Sequence, residues 1–480
     1  MTRSTEGRAS TGDVGIVWFR RDLRLEDNPA WAAATARHDV IVPLHVLDPA
    51  VLRWAGPARR ERHLAELAAL DDELRRIGGR LLLRRGDPVT VVPAEVARLG
   101  ATAVHLNRGV TPASDRRDAA VAAALPAGAE VLGRWGDLVL APGSVLTADG
   151  SVPKVFTAFW KRWQRARWDE WPEPGDALVT DDAGDGDDLP PATAEAGSTG
   201  AHAALTAFLD GPVDDYRAGR DRIDRPATSE LSVALHFGTI SARRVVEAAG
   251  SAGADRQAFI RQLAWRDWYA HLLAAHPQLV DHAMRPELDR IEWRHDPDGF
   301  EAWRDGRTGY PIVDAGMRQL AETGRMHNRV RMVVASFLVK DLLIDWRLGE
   351  RHLRRALIDG DVAQNVGNWQ WVAGTGPDAV PYFRVLNPVT QGRRHDPDGT
   401  FVRRWVPELR GLPGPDVHAP WELDEATLRA AGVELGRDYP HPIVDHAAAR
   451  ERAIGAYRVA RPPAAGDDTR LPAGPARRGS

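Results

Sequence analysis

The run Asp359-Gly360-Asp361-Val362-Ala363-Gln364-Asn365-Val366-Gly367-Asn368-Trp369-Gln370-Trp371 places two carboxylates, the Asn365 amide and two indoles within a few helical turns. Carboxylates accept hydrogen bonds from ring N–H groups or hydroxyls. An amide donates to or accepts from a ring nitrogen, and Trp is the neutral side chain most readily oxidised by an excited acceptor. Such a set can hold a redox ring and wire it to the outside. The same residues also describe a buried helix with aromatic packing, so other segments must decide.

Three further segments carry chemistry. Thr228-Ser229-Glu230-Leu231-Ser232 gathers hydroxyls that either cradle a phosphate or cap a helix. In Gln262-Leu263-Ala264-Trp265-Arg266-Asp267-Trp268-Tyr269, the pairs Trp265/Tyr269 and Gln262/Arg266 are each four apart and share helix faces. Such rings either pack as core or stack on nucleobases, at roughly 1–3 kcal/mol per base. His327-Asn328-Arg329-Val330-Arg331-Met332 offers guanidinium groups suited to a phosphate or to a buried carboxylate such as Asp359. The spacing predicts Arg331 turned inward and Asn328 and Arg329 turned outward; two solvated charges and a core Met is the plainer alternative. No G-x-S-x-G, H-E-x-x-H or EF-hand loop occurs, and the His residues lack metal-ligand spacing. A hydrolase or metalloenzyme is the poorer reading, and no metal is expected.

The elements that must position these residues fall into two halves. Apolar runs at 14–19, 40–47, 80–83 and 103–106 alternate with amphipathic stretches at 28–37, 59–77, 89–99 and 114–125, which predicts βαβ units on a parallel sheet. Neither a dinucleotide nor a nucleoside triphosphate glycine fingerprint is present. After Trp171 a Pro-, Gly- and Asp-rich composition predicts a surface linker. From Ser232 helical periodicity dominates, with helices predicted at 242–249, 255–275, 312–323, 328–342, 350–357 and 361–371. The expected fold is α/β over 13–135, an interdomain linker over 136–225, an all-helical domain over 226–460 and a flexible tail over 461–480.

Composition narrows the chemistry. The 480 residues contain no cysteine, which excludes thiolate metal sites, iron–sulfur clusters and a Cys nucleophile, so any redox chemistry must be organic. Trp is unusually abundant, with 17 against 10 Phe and 6 Tyr. A net charge of −4 argues against a wholly basic nucleic-acid binder. There is no long apolar run and no charged-then-apolar leader, so a cytoplasmic location and no membrane role are expected.

Taken in order, Trp18-Phe19-Arg20-Arg21-Asp22-Leu23-Arg24, the 228–232 hydroxyls, Trp265-Arg266-Asp267, Thr308-Gly309-Tyr310-Pro311-Ile312-Val313-Asp314, the Asn328 segment and the Asp359–Trp371 block resemble the photolyase and cryptochrome flavoproteins. The similarity is strongest to the class I cyclobutane pyrimidine dimer photolyases and runs from about Val14 to Arg458. It implies an N-terminal Rossmann-like antenna domain and a C-terminal helical domain that binds FAD. By motif, Tyr216, Thr228, Ser229, Glu230, Leu231 and Ser232 should meet the cofactor's phosphates. Arg331 should pair with Asp359 beside Gly360, Asp361 should contact the flavin head group, and Asn365 should face the flavin N5. Trp369, Trp346 and Trp293 match the family's electron-transfer chain. Gln262, Trp265, Arg266, Tyr269, Asn328, Arg329, Met332, Trp371 and Gln391 match the lesion and DNA side.

The implied activity is blue-light-driven repair of cyclobutane pyrimidine dimers in DNA, by electron transfer from reduced flavin to a lesion extruded between Trp265 and Trp371. A monomer is expected. Gln262 departs from the family, because most cyclobutane dimer photolyases carry Glu there; a Gln keeps a donor and an acceptor but loses the charge. The (6-4) photolyases share the Gln but carry paired His where this chain has His327-Asn328, and His in place of Met332. Asn107-Arg108-Gly109-Val110-Thr111-Pro112 resembles the lining of a second, antenna chromophore, either deazaflavin or methenyltetrahydrofolate. Two other functions compete with repair: a cryptochrome-type light receptor, and a dark flavin reductase, for which no nicotinamide site is visible.

Overall fold

The computed structural model describes residues 12–181 and 189–460. The tail expected over 461–480 and the start of the chain before residue 12 lie outside the described residues.

Strands β1 (Val14–Phe19), β2 (Val40–Leu47), β3 (Leu82–Arg85), β4 (Ala103–Asn107) and β5 (Glu130–Arg134) form a wholly parallel sheet in the order β3-β2-β1-β4-β5. This is the doubly wound order expected of a Rossmann-like domain. The register sets Val14 opposite Val40 and Gly15 opposite Ala103. Because side chains alternate along a strand, β1 turns Ile16 and Trp18 to one face, against Val92, Val96 and Val121. It turns Val17 and Phe19 to the other, against Leu67, Leu70 and Leu74. Helices α1 (Pro29–Arg37), α2 (Pro57–Arg76), α3 (Pro88–Leu99) and α4 (Pro112–Ala124) cover the two faces. Each begins with Pro in its first turn, where a missing N–H costs nothing. Two strands were not expected: β5, and β6 (Leu178–Val179), which pairs with β2 from inside the Pro- and Asp-rich stretch.

Residues 136–225 correct the reading of that segment as a linker. Helices α5 (Phe156–Trp163) and α6 (Gly197–Leu209) lie within it. Phe156, Phe159, Trp163, Leu205, Phe208 and Val213 are buried in one core with Phe259, Leu263 and Trp268. Composition averaged over the stretch hid short apolar spacings of three and four, which suffice for an amphipathic turn or two.

The helical part then runs through α7 (Ser232–Phe237), α8 (Ala242–Ala249), α9 (Ala254–Ala275), α10 (Pro311–Thr323), α11 (Asn328–Ser336), α12 (Trp346–Ala356), α13 (Val362–Ala373), α14 (Pro388–His395) and α15 (His446–Ala460). The helix expected over 328–342 is α-helical only to Ser336 and continues as a π-turn at Phe337–Asp341. The helix expected at 350 starts earlier, at Trp346, because Asp345 caps it by accepting from the Arg347 N–H. The two halves share apolar contacts, since Val233, Phe237 and Ile358 join the core on one face of the sheet.

Candidate flavin site

Asp361 ends the turn before α13 and caps that helix, its Oδ1 accepting from the Gln364 N–H at 2.9 Å. Two residues earlier, Asp359 is gripped by Arg331 from α11, whose Nη2 donates to both carboxylate oxygens at 3.0 and 2.9 Å. Arg331 is held in turn by the Met326 carbonyl, 2.8 Å from its Nε. Ser232, in the hydroxyl loop, also helps to lower Asp359, which sets that loop at this corner. Asp361 is met from the other half of the molecule by Arg21, Nη2 to Oδ2 at 2.5 Å. Burial pushes both carboxyls upward, but Arg331 at Asp359, and Arg21 with Arg266 at Asp361, more than offset it. Both therefore stand ionised, below the usual carboxylate range.

Arg331, Asp359 and Asp361 line a cavity together with Asn328, Met332, Leu353, Leu357, Gly360, Gln364, Asn365, Asn368, Trp369 and Val372. Eight residues singled out from sequence thus converge: Asn328, Arg331, Met332, Asp359, Gly360, Asp361, Asn365 and Trp369. Arg266 sits just behind, its backbone carbonyl accepting from Gln364 at 2.8 Å and its guanidinium on Asp137 at 2.8 Å.

Several other expected residues face elsewhere. Arg329 is turned inward rather than outward and pairs with Asp221 at 2.8 Å. Tyr269 is buried under α13 because Gly367 has no side chain; a Cβ there would stand 2.2 Å from the Tyr269 ring. Trp265 has one ring face covered by Phe156, centroids 3.7 Å apart at 14°. Gln262 donates to the Ala258 carbonyl of its own helix at 3.0 Å. Tyr216 packs edge-on against Phe208 and Phe259, and burial lifts its hydroxyl to about 12. Glu230 points to solvent and pairs with Arg325 at 3.2 Å, while Leu231 is buried; Thr228 and Ser229 are half-buried. Trp371 and Gln391 are half-buried outside the cavity wall. Asn107, in the segment that resembles an antenna lining, donates to Asp22 at 2.6 Å and Asn28 at 2.7 Å in a buried network at the carboxyl end of β4.

Trp369 and Trp346 are buried and Trp293 is partly buried, all within one core. The contact between α12 and α13 depends on Gly349, where a Cβ would lie 2.2 Å from the Trp369 ring. Sequence reasoning missed Gly349, and it missed Trp303, which meets Trp369 edge to face at 6.3 Å. It also missed Glu350, which accepts the Asn365 amide through its carboxylate and its backbone carbonyl, both at 2.9 Å. Burial raises Glu350, with Arg354 at 3.4 Å only partly opposing. A buried Glu four residues from an Arg on a helix was the one available signal, and it is a common pairing.

The family model for the FAD binding domain of DNA photolyase matches residues 259–459, and that for DNA photolyase matches residues 15–175. The chain belongs to the DNA photolyase family. The FAD-binding match contains every residue that lines the cavity. A deoxyribodipyrimidine photo-lyase of Streptomyces griseus is 45% identical over 92% of this chain and 98% of its own length. A solved bacterial class III photolyase from Agrobacterium tumefaciens superposes with a TM-score of 0.85 at 39% identity, over 95% of this chain and 99% of its own. A cryptochrome of Synechocystis sp. gives the same TM-score at 30% identity, over 92% and 99%. The residues of this DNA photolyase family member fit the implied FAD. Ionised acceptors at Asp359 and Asp361, an amide at Asn365 and the N-terminus of α13 converge on one cavity, and they suit a group carrying ring N–H and hydroxyl donors. Among the described residues no helix is long and apolar enough to cross a membrane.

Proposed function

We propose that this photolyase family member repairs cyclobutane pyrimidine dimers in DNA under blue light. The observation that carries the reading is the convergence of Asp361, Asn365 and Trp369 with Asn328 and Met332 on a single cavity. One wall then serves the cofactor and the opposite rim serves the lesion. Asp359, Asp361 and Asn365 would hold FAD, which in its reduced form would supply reversible one-electron transfer to a dimer.

The chain's own residues position the reactants and set the local charge. Asp359 and Arg331 anchor the corner below the hydroxyl loop, and Asp361 presents an acceptor held ionised by Arg21. Asn365 is fixed by Glu350, so its orientation does not depend on cofactor contact. Asn328 and Met332, one helical turn apart on α11, form the rim that an extruded lesion would touch, as base-flipping enzymes require. Trp369, Trp346 and Trp293 offer a path by which electrons reach the cavity from the partly exposed Trp293. The domain division at 13–135 and 226–460 is part of the same reading, with 136–225 packed onto the helical domain.

The test is repair of two oligonucleotides, one with a cyclobutane thymine dimer and one with a (6-4) product, by reduced protein in light and in darkness. Light-dependent reversal of the first alone is expected. Reversal of the second alone assigns Gln262 to lesion class. Absence of both with FAD bound supports the light-receptor reading, which the inward pairing of Arg329 with Asp221 and the half-covered Trp265 favour.

A further inference from the structure

Trp265 offers a base only one of its faces. Phe156, at the start of α5, is stacked on the other, with ring centroids 3.7 Å apart at 14°. Trp268 meets Trp265 edge to face at 5.0 Å, and the Tyr269 ring lies 5.6 Å away. Phe156 is itself clamped: it is 1% exposed, Trp268 meets it edge to face at 5.6 Å, and the Arg261 guanidinium is 5.2 Å from its ring centroid. The chain leading into it is pinned as well, because the Trp268 indole N–H donates to the Pro153 carbonyl at 2.7 Å. A ring packed on this many sides does not swing aside to admit a base beneath Trp265.

The first N–H of α5 finds its acceptor far away in sequence. Val155, at the cap position, has no side-chain acceptor to offer, and Asp378 supplies one from 222 positions on, its Oδ2 accepting from the Phe156 N–H at 3.0 Å. Asp378 is exposed and has a φ of 46°, a left-handed conformation that Asp adopts more readily than most residues. It lies in the segment between Trp371 and Gln391, and that segment folds back on its own start. The Val380 N–H donates to the Trp371 carbonyl at 3.2 Å, and the Thr375 and Gly376 N–H groups donate to the Gln370 carbonyl at 3.0 and 3.1 Å. Contacts therefore lead from the Trp371 backbone through Val380 and Asp378 to Phe156, and from Phe156 onto the covered face of Trp265.

We propose, resting on the repair reading above, that Phe156 and Asp378 are positioning residues for the lesion. Phe156 confines stacking to the open face of Trp265. Asp378 fastens the segment after Trp371 to that backing, so the two sides of the lesion opening form one frame before DNA arrives. Preorganisation of this kind strengthens binding by reducing what must be ordered in the complex. It also favours a dimer over ordinary bases. Two covalently joined pyrimidines are poorly stacked and enter as one body of fixed shape, whereas an undamaged base must first be unstacked and unpaired, and an opening that does not adjust to it returns less for that cost. The segment 136–225 thereby contributes to lesion choice, through a residue that touches neither the cavity nor DNA.

The experiment compares binding of the full chain with FAD bound, in darkness and at one salt concentration, to an oligonucleotide carrying a cyclobutane thymine dimer and to the same oligonucleotide undamaged. The quantity read is the ratio of the two affinities. Asp378→Gly removes the carboxylate and keeps the left-handed backbone; Asp378→Asn keeps that backbone and an acceptor for the Phe156 N–H. Both remove the same charge, so any general gain in DNA affinity is common to them and cancels in the ratio. Asp378→Gly and Phe156→Leu should each lower the ratio about tenfold, the size of a lost cap or stacking contact, and Asp378→Asn should retain it. The double variant Phe156→Leu with Asp378→Gly should lose less than the product of the two single losses, because both act through one frame. A ratio unchanged in Asp378→Gly, or lowered equally in Asp378→Asn, overturns the role of Asp378. A ratio unchanged in Phe156→Leu overturns the role of Phe156, and losses that multiply overturn the shared frame. Should Phe156→Leu fail to fold, the two Asp378 variants decide. A wild-type ratio of about one, with FAD bound, removes the repair reading and this proposal with it, an outcome distinct from a wild-type preference for the dimer that survives every variant.

Discussion

Arg21, just past the end of β1, donates to Asp361 at 2.5 Å across 340 positions of sequence. The residue that caps α13 and faces the cavity is thereby charge-matched by the opposite half of the molecule. Arg21→Ala should loosen the cap and the domain contact together. Because the Arg21 side chain is 38% exposed, the expected loss is only about 1 kcal/mol, read by urea denaturation. FAD retention should fall with it.

Removing Arg331 is a harsher change. Arg331→Ala leaves Asp359 buried without its guanidinium, and loss of one partner of a buried pair costs on the order of 3 kcal/mol. The double variant with Asp359→Asn should recover part of that loss, and recovery in a denaturation cycle is the measurement.

Stability against pH has opposing contributions here. Asp359 and Asp361 are lowered in the fold, so their contribution is present above the unfolded value of about 3.9 and lost as pH falls through their folded values. Glu350 is raised, so its contribution is present below the unfolded value of about 4.3 and lost as pH rises through its folded value. Asp361→Asn should make the acid limb shallower, and Glu350→Gln should stabilise the protein on the neutral side. Denaturation midpoints measured from acid to neutral pH check both signs.

Trp369→Phe should stop photoreduction while leaving repair by chemically reduced protein intact. Gly349→Ala tests the same ring from outside. Its methyl would sit 2.2 Å from the Trp369 indole and 2.5 Å from Leu338, an overpacking that costs about 1–3 kcal/mol. A lower melting temperature together with slower photoreduction is expected.

Arg329 reaches DNA only if it leaves Asp221. Asp221→Asn should therefore tighten binding of dimer-containing DNA, and Arg329→Ala should weaken it and reduce the salt slope by about one. Equal salt slopes for wild type and both variants would remove Arg329 from the DNA face.

The primary sequence determined the local elements and the membership of the site. Continuous apolar runs gave the parallel strands β1 and β2 with their ends in place, and periodicity gave α8 and α13, because both signals lie within a few residues. The motif at 359–371 named Asp359, Asp361, Asn365 and Trp369, all of which reach the cavity. Tertiary structure alone decided what fixes them. Arg21 on Asp361, Glu350 on Asn365, Gly349 under Trp369 and Gly367 over Tyr269 are contacts between elements, and no local pattern encodes which faces will meet. The same holds for Arg329, whose helix position permits either a solvent or an inward rotamer until Asp221 supplies the charge that selects one. Lys340 is the extreme case: one lysine in an apolar run says nothing of itself, and only the packing of α15 brings the Tyr457 ring to 3.5 Å from its Nζ.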